Sequence, residues 1–596
     1  MIKSFFVKSI FVLFFLTLTF IRVYNVHNQP PGLHIDEVSF GVDAKSIVES
    51  GLDTWGVRYP TYFKAYGEYK APGQTYFMAL VYALRNEMDT LTTRLPNVVF
   101  GLGMLLIFIL TLRAIWRPLP LLALTLGVVI LGLSPWHFAL SRVFYESYGG
   151  AFWLATSLYG TILSWTNQKY RRLGFWLGTL GAIVAGYWYP SLRYVALGTM
   201  AWSLLLSPPP LPKKRHFLLA LVLTLTLGFG WVKELVSSAG LSRLHFYNTS
   251  VTTGQTLSID EKRQFCYLSF DQNPVLTKWC YVLWNKPVDR LLTTVKTYAD
   301  YLGTTFLFLD SGGDYGTDSS YGAYHLTALP LYLLSFIFIL KSIYQWFVVA
   351  RSGRSLKSEY RTTLYLTGVL IIAIFPAATT GGIAVHLVAS ALYVLMLIFM
   401  LGLKVGYEYL MPLYPRLLQL IVLFLLATTL FLAAQSLTHY YAVFTHSNDV
   451  MWTSDTQEVF NYVRDNSSHY DLIIDTALHG PQAGYFFGDI TTATLHQTKQ
   501  HSSPDRFGFA YLIKAGKYEW VQSGTLDLIA CQYRRSNDKI LVISNPQDRV
   551  NVLPILTTYT WNKVHKMREL YNLDDVKAAL SQTQGGINAY CAQYSL

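Results

Sequence analysis

The first stretch with residue types suited to chemistry is PPGLHIDEVSFGVDA, residues 30–44, which holds His34, Asp36, Glu37 and Asp43. It directly follows a long apolar segment. A carboxylate near a low-dielectric boundary has a raised pKa, so Asp36 and Glu37 would suit a general base that takes a proton from an attacking hydroxyl. The same pair would suit the solvated start of a helix, where the macrodipole favours acids. The residues alone leave both interpretations open, and Asp43 is interpreted as an ordinary surface carboxylate.

The elements that must position these groups are predicted to be membrane helices. The 596 residues are 52% hydrophobic and only 14% charged, whereas soluble chains carry about a quarter charged residues. Lys3 and Lys8 precede an apolar run without a cleavage signal, which predicts an uncleaved first helix. Segments of membrane-spanning length predict about eleven transmembrane helices, near residues 5–24, 92–112, 119–137, 148–166, 173–190, 193–207, 216–236, 324–345, 361–378, 385–403 and 417–437. The shorter run at 75–84 predicts an interfacial helix.

The distribution of Lys and Arg predicts the orientation. Short basic loops such as RAIWRP, NQKYRR and PPPLPKKRH alternate with less basic connections, so the basic loops are assigned to the cytoplasm. The long loop 237–323 and the chain end then lie outside. We therefore expect an integral protein of the plasma (inner) membrane, with its active site and C-terminal domain extracytoplasmic. The net charge of +12 is largely this topology signal, and no nucleic-acid-binding motif accompanies it, so nucleic acid is excluded as a partner.

Cysteine usage agrees with that orientation. All four cysteines, Cys266, Cys280, Cys531 and Cys591, fall on the predicted outer side, as expected in an oxidising compartment. Proximity in the sequence favours Cys266–Cys280 and Cys531–Cys591, although four cysteines allow three connectivities. Four unpaired, buried cysteines are the alternative.

The chain changes character beyond about residue 450. EVFNYVRDNSSHY has helical spacing, whereas YDLIIDTA, TLDLIAC and KILVISN are short apolar runs of the kind that form buried strands. The predicted fold is thus a polytopic α-helical membrane domain, residues 1–440, with outer loops 25–91 and 237–323, followed by a soluble α/β domain, residues 441–596.

Further charged groups are predicted at the outer helix ends, where each is a functional candidate. Lys70 could hold a phosphate or extend toward headgroups, and Arg94 and Arg193 carry the same two interpretations. Arg142 and Glu146 are four residues apart and could form a helical ion pair or belong to a site. A lone histidine such as His386 is more often structural than catalytic. None of these residues has metal-ligand spacing, so no metal site is predicted and a divalent metal ion is left open.

At these residues the sequence resembles the GT-C superfamily of membrane glycosyltransferases, above all the bacterial relatives of protein O-mannosyltransferases and of the aminoarabinose transferase acting on lipid A. Over residues 5–440 the similar features are the acid pair of the first outer loop, the Lys70 turn, TRLPNVVFGLG, SPWHFALSRVFYE and the aromatic, glycine-rich segment before LPLYLL.

The resemblance implies an inverting transfer from a polyprenyl-phosphate-linked sugar to a lipid, glycan or protein acceptor at the outer membrane face. It implies that Asp36 is the catalytic base, with Glu37 and Glu146 as further acids of the site. Lys70 would bind the donor phosphate, with Arg142, Arg193 and His386 as further candidates. Related enzymes often carry an arginine shortly after the histidine, where this chain has Ala389.

Other function classes remain open on the sequence. A lipid-linked oligosaccharide transferase or polymer ligase would share the architecture. A transporter or flippase of lipid-linked sugars would place ionisable groups in mid-helix and show an inverted repeat, and neither feature is recognised. A membrane-anchored binding or scaffold protein would not need the acid pair at the outer face.

Overall fold

The structure, a computed structural model, divides into two compact units. It describes residues 2–65, 69–206, 214–235, 253–270, 273–313, 316–352, 356–380, 382–447, 452–477, 480–503, 510–521, 525–546, 557–561 and 565–594. One unit, here the helical unit, comprises Met1–Tyr24 and Asn97–His439. The other, here the mixed unit, comprises Asn25–Pro96 and Tyr440–Leu596. The predicted first outer loop thus belongs to the same unit as the C-terminal residues.

The helical unit is built from helices, most of them long and many of them apolar, and one of them begins within the mixed unit's part of the chain. Their bounds are Ile2–Val23, Thr90–Ile115, Leu121–Leu133, Pro135–Leu140, Glu146–Thr166, Arg171–Trp188, Leu192–Leu206, Lys214–Leu235, Thr253–Ser269, Pro274–Leu283, Lys286–Leu302, Thr304–Phe308, Leu329–Ser352, Ser358–Thr380, Ala389–Leu410 and Pro415–His439. Short 3₁₀ turns at Leu326–Ala328 and Val385–Val388 precede two of them.

A helix occupies each segment predicted to cross the membrane. Among the described residues, five helices are both long and apolar enough to span a bilayer: Thr90–Ile115, Leu326–Val349, Ser358–Thr380, Val385–Leu410 and Pro415–Ser447. Others are shorter; Leu121–Leu133, for example, ends where Pro135 starts a new helix, because proline has no N–H to continue the old one. The integral membrane character is supported by these helices, and the number eleven stays a prediction.

Two disulfides join cysteines of segments that the sequence predicts to be outer. Cys266 is bonded to Cys280 across the helices Thr253–Ser269 and Pro274–Leu283, with 5.7 Å between the Cα atoms. Cys531 is bonded to Cys591, with 5.3 Å between the Cα atoms.

The mixed unit begins with the helix Ile35–Ser50, here the loop helix. The strands β1 (Phe63–Lys64) and β2 (Tyr69–Lys70) pair antiparallel, and the helix Pro72–Arg85 follows. The later helices and turns are Tyr440–Phe444, Thr445–Ser447, Thr456–Asn466, Ser467–His469, Gly480–Phe486, Thr492–Thr498, Leu526–Gln532, Leu573–Ser581, Gly586–Cys591 and Ala592–Tyr594.

A seven-stranded sheet forms the centre of the mixed unit. Its strands are β3 (Leu472–Asp475), β4 (Gln500–His501), β5 (Leu512–Ala515), β6 (Tyr518–Trp520), β7 (Ile540–Ser544), β8 (Thr557–Trp561) and β9 (His565–Asn572). Their order is β4-β5-β6-β3-β7-β9-β8, in which β3 runs parallel to β6 and β7 and the other pairs are antiparallel.

The predicted strand in TLDLIAC is wrong, since this segment forms the helix Leu526–Gln532. Its buried residues Leu526, Ile529 and Ala530 recur at the spacing of one helical face, and they cover one side of the sheet. The segments YDLIIDTA and KILVISN do contain the strands β3 and β7.

One core of the mixed unit is shared between the first loop and the C-terminal residues. Leu33, Val38 and Val42 pack in the same cluster as Phe460 and Ile473. The acid pair is therefore attached to a core that residues 441–596 help to form.

We predict that Val42→Ala, in the loop helix, lowers the free energy of unfolding by about 1–3 kcal/mol, because Val42 is only 1% exposed and its methyl groups would leave a cavity. Val48→Ala is the matched control, since Val48 lies on the same helix and is 40% exposed. Thermal unfolding of the full chain in detergent measures both, and equal shifts would contradict the shared core.

Candidate active site

The loop helix begins at the acid pair, and its start is closed by side chains. His34 is the N-cap residue, and its Nδ1 accepts a hydrogen bond from the backbone N–H of Asp36 at 3.2 Å. The His34 N–H donates in turn to the Glu37 carboxylate at 2.9 Å. This reciprocal capping fixes the first helical turn. The helix-start interpretation of the pair is therefore correct for the backbone, which orients Asp36, but it is wrong in taking both acids as solvated, since Glu37 is 0% exposed.

Lys70 contacts Asp36 from the strand β2. Its ammonium donates to Asp36 Oδ1 at 3.0 Å and approaches Ser39 Oγ at 3.4 Å. The pairing of Lys70 with Phe63 anchors its backbone, and the ring of Phe40 lies 4.3 Å from Nζ. The Lys70 side chain is 3% exposed, whereas that of Asp36 is 38% exposed. Lys70 is thus a buried cation that supports an accessible carboxylate, and it does not extend toward headgroups.

The expectation of a raised pKa for Asp36 is wrong. Burial by itself raises this pKa, but the charge of the Lys70 ammonium, with His34 as a lesser cause, outweighs burial and holds the pKa well below its ordinary value. Asp36 is consequently ionised throughout the neutral range. A carboxylate in this state can accept a proton, although the lysine beside it weakens its basicity.

Glu37 is fully buried and paired with Arg94. The carboxylate accepts from Arg94 Nε at 3.1 Å and from Nη2 at 3.2 Å, and both side chains are 0% exposed. Two parallel charge-assisted bonds are the strongest form that such a pair takes. Glu37 is thus the buried neighbour of Asp36 in the capped turn, and its pairing with Arg94 holds the turn in position.

Arg94 also organises the chain before the loop helix. Its guanidinium donates to the carbonyls of Val26, Pro30 and Gly32 at 2.9, 2.7 and 2.7 Å, and Trp452 lies 5.4 Å from it. The local sequence pattern did not predict this role of Arg94. The one signal in the sequence was a glutamate at a capping position, which needs a cation if it is buried. The sequence does not say which residue provides that cation.

Asp43 is buried, contrary to its interpretation as a surface carboxylate. It is 3% exposed, because the loop helix packs on several sides. Thr54 donates to it from both its backbone N–H and its hydroxyl. Burial, with the charge of Asp53 as a second cause, raises the pKa of Asp43 to about 7.

In the helical unit, Arg142 and Glu146 do not share one helix. One helix ends at Leu140 and the next begins at Glu146, so the spacing of four residues has no helical meaning here. Arg142 is 0% exposed and donates to the carbonyls of Ile21 and Arg22 at 2.9 and 2.8 Å. It thereby satisfies carbonyls at the end of the first helix. Glu146 lies in the first turn of its helix, where the dipole favours an acid.

Arg193 and His386 lie in the same unit. Arg193 is 2% exposed, and its Nε donates to the Gly186 carbonyl at 3.0 Å. The His386 ring stacks on Tyr145 with 4.8 Å between centroids. His386 also lines a small cleft together with Ser147, Tyr189, Ser191, Leu192, Val195, Ala373, Leu387 and Ser390. This cleft is polar where the histidine and serines meet, and Ala389 supplies no charge beside them.

The described residues do not fit a divalent metal ion well. No group of three or more His, Cys, Asp or Glu side chains assembles among them. Asp36 has a lysine at 3.0 Å, and a cation at this distance competes with a metal for the same oxygen.

Comparison with known proteins finds similarity at the level of structure. No protein-family model matches the sequence, and no curated protein matches it. ArnT from Cupriavidus metallidurans in the apo state is 12% identical with a TM-score of 0.48, over 94% of this chain and 98% of that chain. ArnT bound to undecaprenyl phosphate is 12% identical with a TM-score of 0.45, over 94% and 97%.

The archaeal oligosaccharyltransferase AglB from Archaeoglobus fulgidus, in complex with an inhibitory peptide and a dolichol-phosphate, is also similar. It is 14% identical with a TM-score of 0.43, over 85% of this chain and 62% of that chain. Both proteins are GT-C glycosyltransferases, the superfamily that the sequence motifs resemble.

We predict that Arg94→Ala destabilises the protein by about 3–5 kcal/mol, because it leaves the Glu37 charge buried without its partner. Arg464→Ala, which removes an exposed ion pair with Asp465, should change the stability by less than about 1 kcal/mol. Thermal unfolding compares the two variants, and a small effect of Arg94→Ala would show that Glu37 does not depend on this arginine.

We predict that Asp43→Asn is stabilising at high pH. The pKa of Asp43 rises from 3.8 to about 7 on folding, so its favourable contribution is complete below pH 3.8 and is lost as the pH rises through about 7. The asparagine oxygen can still accept from Thr54 without a charge. The melting temperature of the variant should therefore exceed that of the wild type by a few degrees at pH 8, with a smaller difference at pH 5. A difference that does not change with pH would contradict the assignment.

Proposed function

We propose that this protein is a membrane glycosyltransferase that moves a sugar from a polyprenyl-phosphate donor to an acceptor hydroxyl, with inversion, at the extracytoplasmic face. The observation that supports it best is the contact between Lys70 and Asp36, with 3.0 Å between Nζ and Oδ1. This contact joins a buried cation, suited to a phosphate, to an accessible carboxylate, suited to a proton.

In the proposed reaction, the Lys70 ammonium binds the phosphate of the donor and stabilises the charge that develops on it. The acceptor oxygen attacks the anomeric carbon and forms the new glycosidic bond, while the bond from that carbon to the phosphate oxygen breaks. The acceptor proton goes to the Asp36 carboxylate, and polyprenyl phosphate leaves. No nucleotide takes part.

The ion pair also suggests how the base is activated. In the free protein, Lys70 lowers the pKa of Asp36. A donor phosphate on the same ammonium would share its charge, so the pKa of Asp36 would rise once the donor is bound. The carboxylate would then be a stronger base only when a sugar is present to be transferred.

The other candidate residues receive different parts in this proposal. Glu37, buried against Arg94, positions the turn that carries Asp36, and Arg142 stabilises the end of the first helix. His386 and Arg193 remain candidates for donor binding within the helical unit, with His386 the more accessible. Glu146 remains a candidate acid at the start of its helix.

We predict that Asp36→Asn lowers the transfer of sugar from an undecaprenyl-phosphate donor by at least about 10²-fold, the usual range for loss of a general base. Glu87→Gln is a control, because Glu87 is an exposed acid of the same unit with a side chain that is 67% exposed. The product is measured as glycosylated acceptor after reconstitution, with thermal unfolding as the test of folding. Full transfer activity of a correctly folded Asp36→Asn variant would contradict the proposal.

Lys70→Met should raise the KM for the donor and shift the acid limb of the pH–rate profile to higher pH, since Asp36 loses the cation that lowers its pKa. A transporter would instead form no glycosylated product, so the absence of product with the wild-type protein in the same assay would contradict the proposal.

A further inference from the structure

The helix Lys286–Leu302 in the long outer loop presents its apolar face outward. Leu291, Leu292 and Val295 are 62%, 55% and 56% exposed, whereas the polar Thr297 is only 4% exposed. A helix on a water-soluble protein does the reverse and packs its apolar face inward. Three exposed aliphatic side chains on one face therefore indicate a partner that is not water.

The same helix is held along a helix that could itself span the membrane. The Tyr298 hydroxyl donates to the Ile371 carbonyl at 2.7 Å, and Ile371 lies within the apolar helix Ser358–Thr380. At 1.5 Å per residue, Ile371 lies about 13 Å from the Thr380 end of that helix. The Tyr301 hydroxyl donates to the Gly382 carbonyl at 2.8 Å, just beyond the same end.

These contacts indicate how deep the helix Lys286–Leu302 lies in the bilayer. If Ser358–Thr380 spans the bilayer, whose hydrocarbon core is about 30 Å thick, the contact at Ile371 lies well below the surface on the Thr380 side. Ile371 and Phe375 are each 54% exposed on the helix Ser358–Thr380. The aliphatic face of Lys286–Leu302 thus belongs to an element packed beside a helix with outward-facing apolar residues.

The residues around this face are of the types that contact lipid. Lys286 and Arg290 are exposed at the start of the helix, and Trp279 and Tyr281 are 54% and 57% exposed on the helix before it. Cations and aromatic rings are the residue types found where acyl chains meet headgroups. The Cys266–Cys280 disulfide covalently links the two helices before Lys286–Leu302.

We propose that Lys286–Leu302 is partly inserted into the lipid leaflet at the Thr380 end of the spanning helix, with Leu291, Leu292 and Val295 against phospholipid acyl chains. The sequence predicts this leaflet to be the outer one. The long loop then does not extend into water along its whole length, because its helix Lys286–Leu302 forms part of the lipid-facing surface of the membrane domain. This inference does not depend on the proposed reaction.

The test uses the full chain with one added thiol. Among the described residues the cysteines are all in disulfides, so a cysteine introduced by Leu292→Cys can be labelled selectively with a fluorophore. Phe375→Cys on the spanning helix is the lipid-exposed reference, and Arg290→Cys on the polar side of the same outer-loop helix is the matched control. The labelled proteins are reconstituted in phosphatidylcholine–phosphatidylglycerol vesicles without polyprenyl lipid, and quenched with nitroxide-labelled phospholipids or with aqueous iodide.

The proposal predicts that lipid nitroxides quench the label at Leu292 about as strongly as the label at Phe375, and several-fold more than the label at Arg290, while iodide quenches Arg290 most. Quenching of the Leu292 label by iodide would mean a water-exposed face, and protection from both quenchers would mean cover by protein; either result overturns the proposal. Val295→Cys provides the same measurement should Leu292→Cys fail to fold.

Discussion

A glutamate that is completely buried needs a cation, and in this protein Arg94 meets that need for Glu37. Within the mixed unit, the pair joins the start of the loop helix to the residues around Arg94, and the remaining donors of Arg94 bind the carbonyls of the segment before the loop helix. Since Asp36 is the neighbour of Glu37 in the same capped turn, it has little freedom to move. The accessible carboxylate owes its position to the inaccessible one.

The turn held by Glu37 and Arg94 carries a second ion pair, between Asp36 and Lys70, of a different kind. Lys70 is buried and Asp36 is partly exposed, so the pair presents one charged oxygen group to the outside and keeps its cation within. Such an arrangement stabilises the ionised carboxylate in the free protein. It also makes the basicity of Asp36 sensitive to any anion that approaches Lys70, and this sensitivity is the physical basis of the proposed reaction.

The sequence predicted the parts that depend on composition and local pattern. Helices were found at every apolar segment of membrane-spanning length, because such a run has few other stable structures. The turn at Lys70 was recognised from the proline that follows. The sequence did not predict the electrostatics. The pKa of Asp36 depends on a lysine 34 residues later, the burial of Asp43 depends on Thr54, and the role of Arg94 depends on a glutamate 57 residues away. Each is a long-range contact that periodicity does not encode. The helix at Leu526–Gln532 was missed because a short buried apolar run suits a helix and a strand equally well.

The coupling between Lys70 and Asp36 is measured most directly by titrating the Asp36 carboxyl itself. Infrared difference spectroscopy of the wild type against Asp36→Asn, with and without undecaprenyl phosphate, follows this titration. We expect a carboxylate signal that persists well below the ordinary pKa of an aspartate in the free protein and titrates at higher pH when the phosphate is bound. An Asp36 that titrates at its ordinary pKa, or one that does not respond to the phosphate, would contradict this coupling.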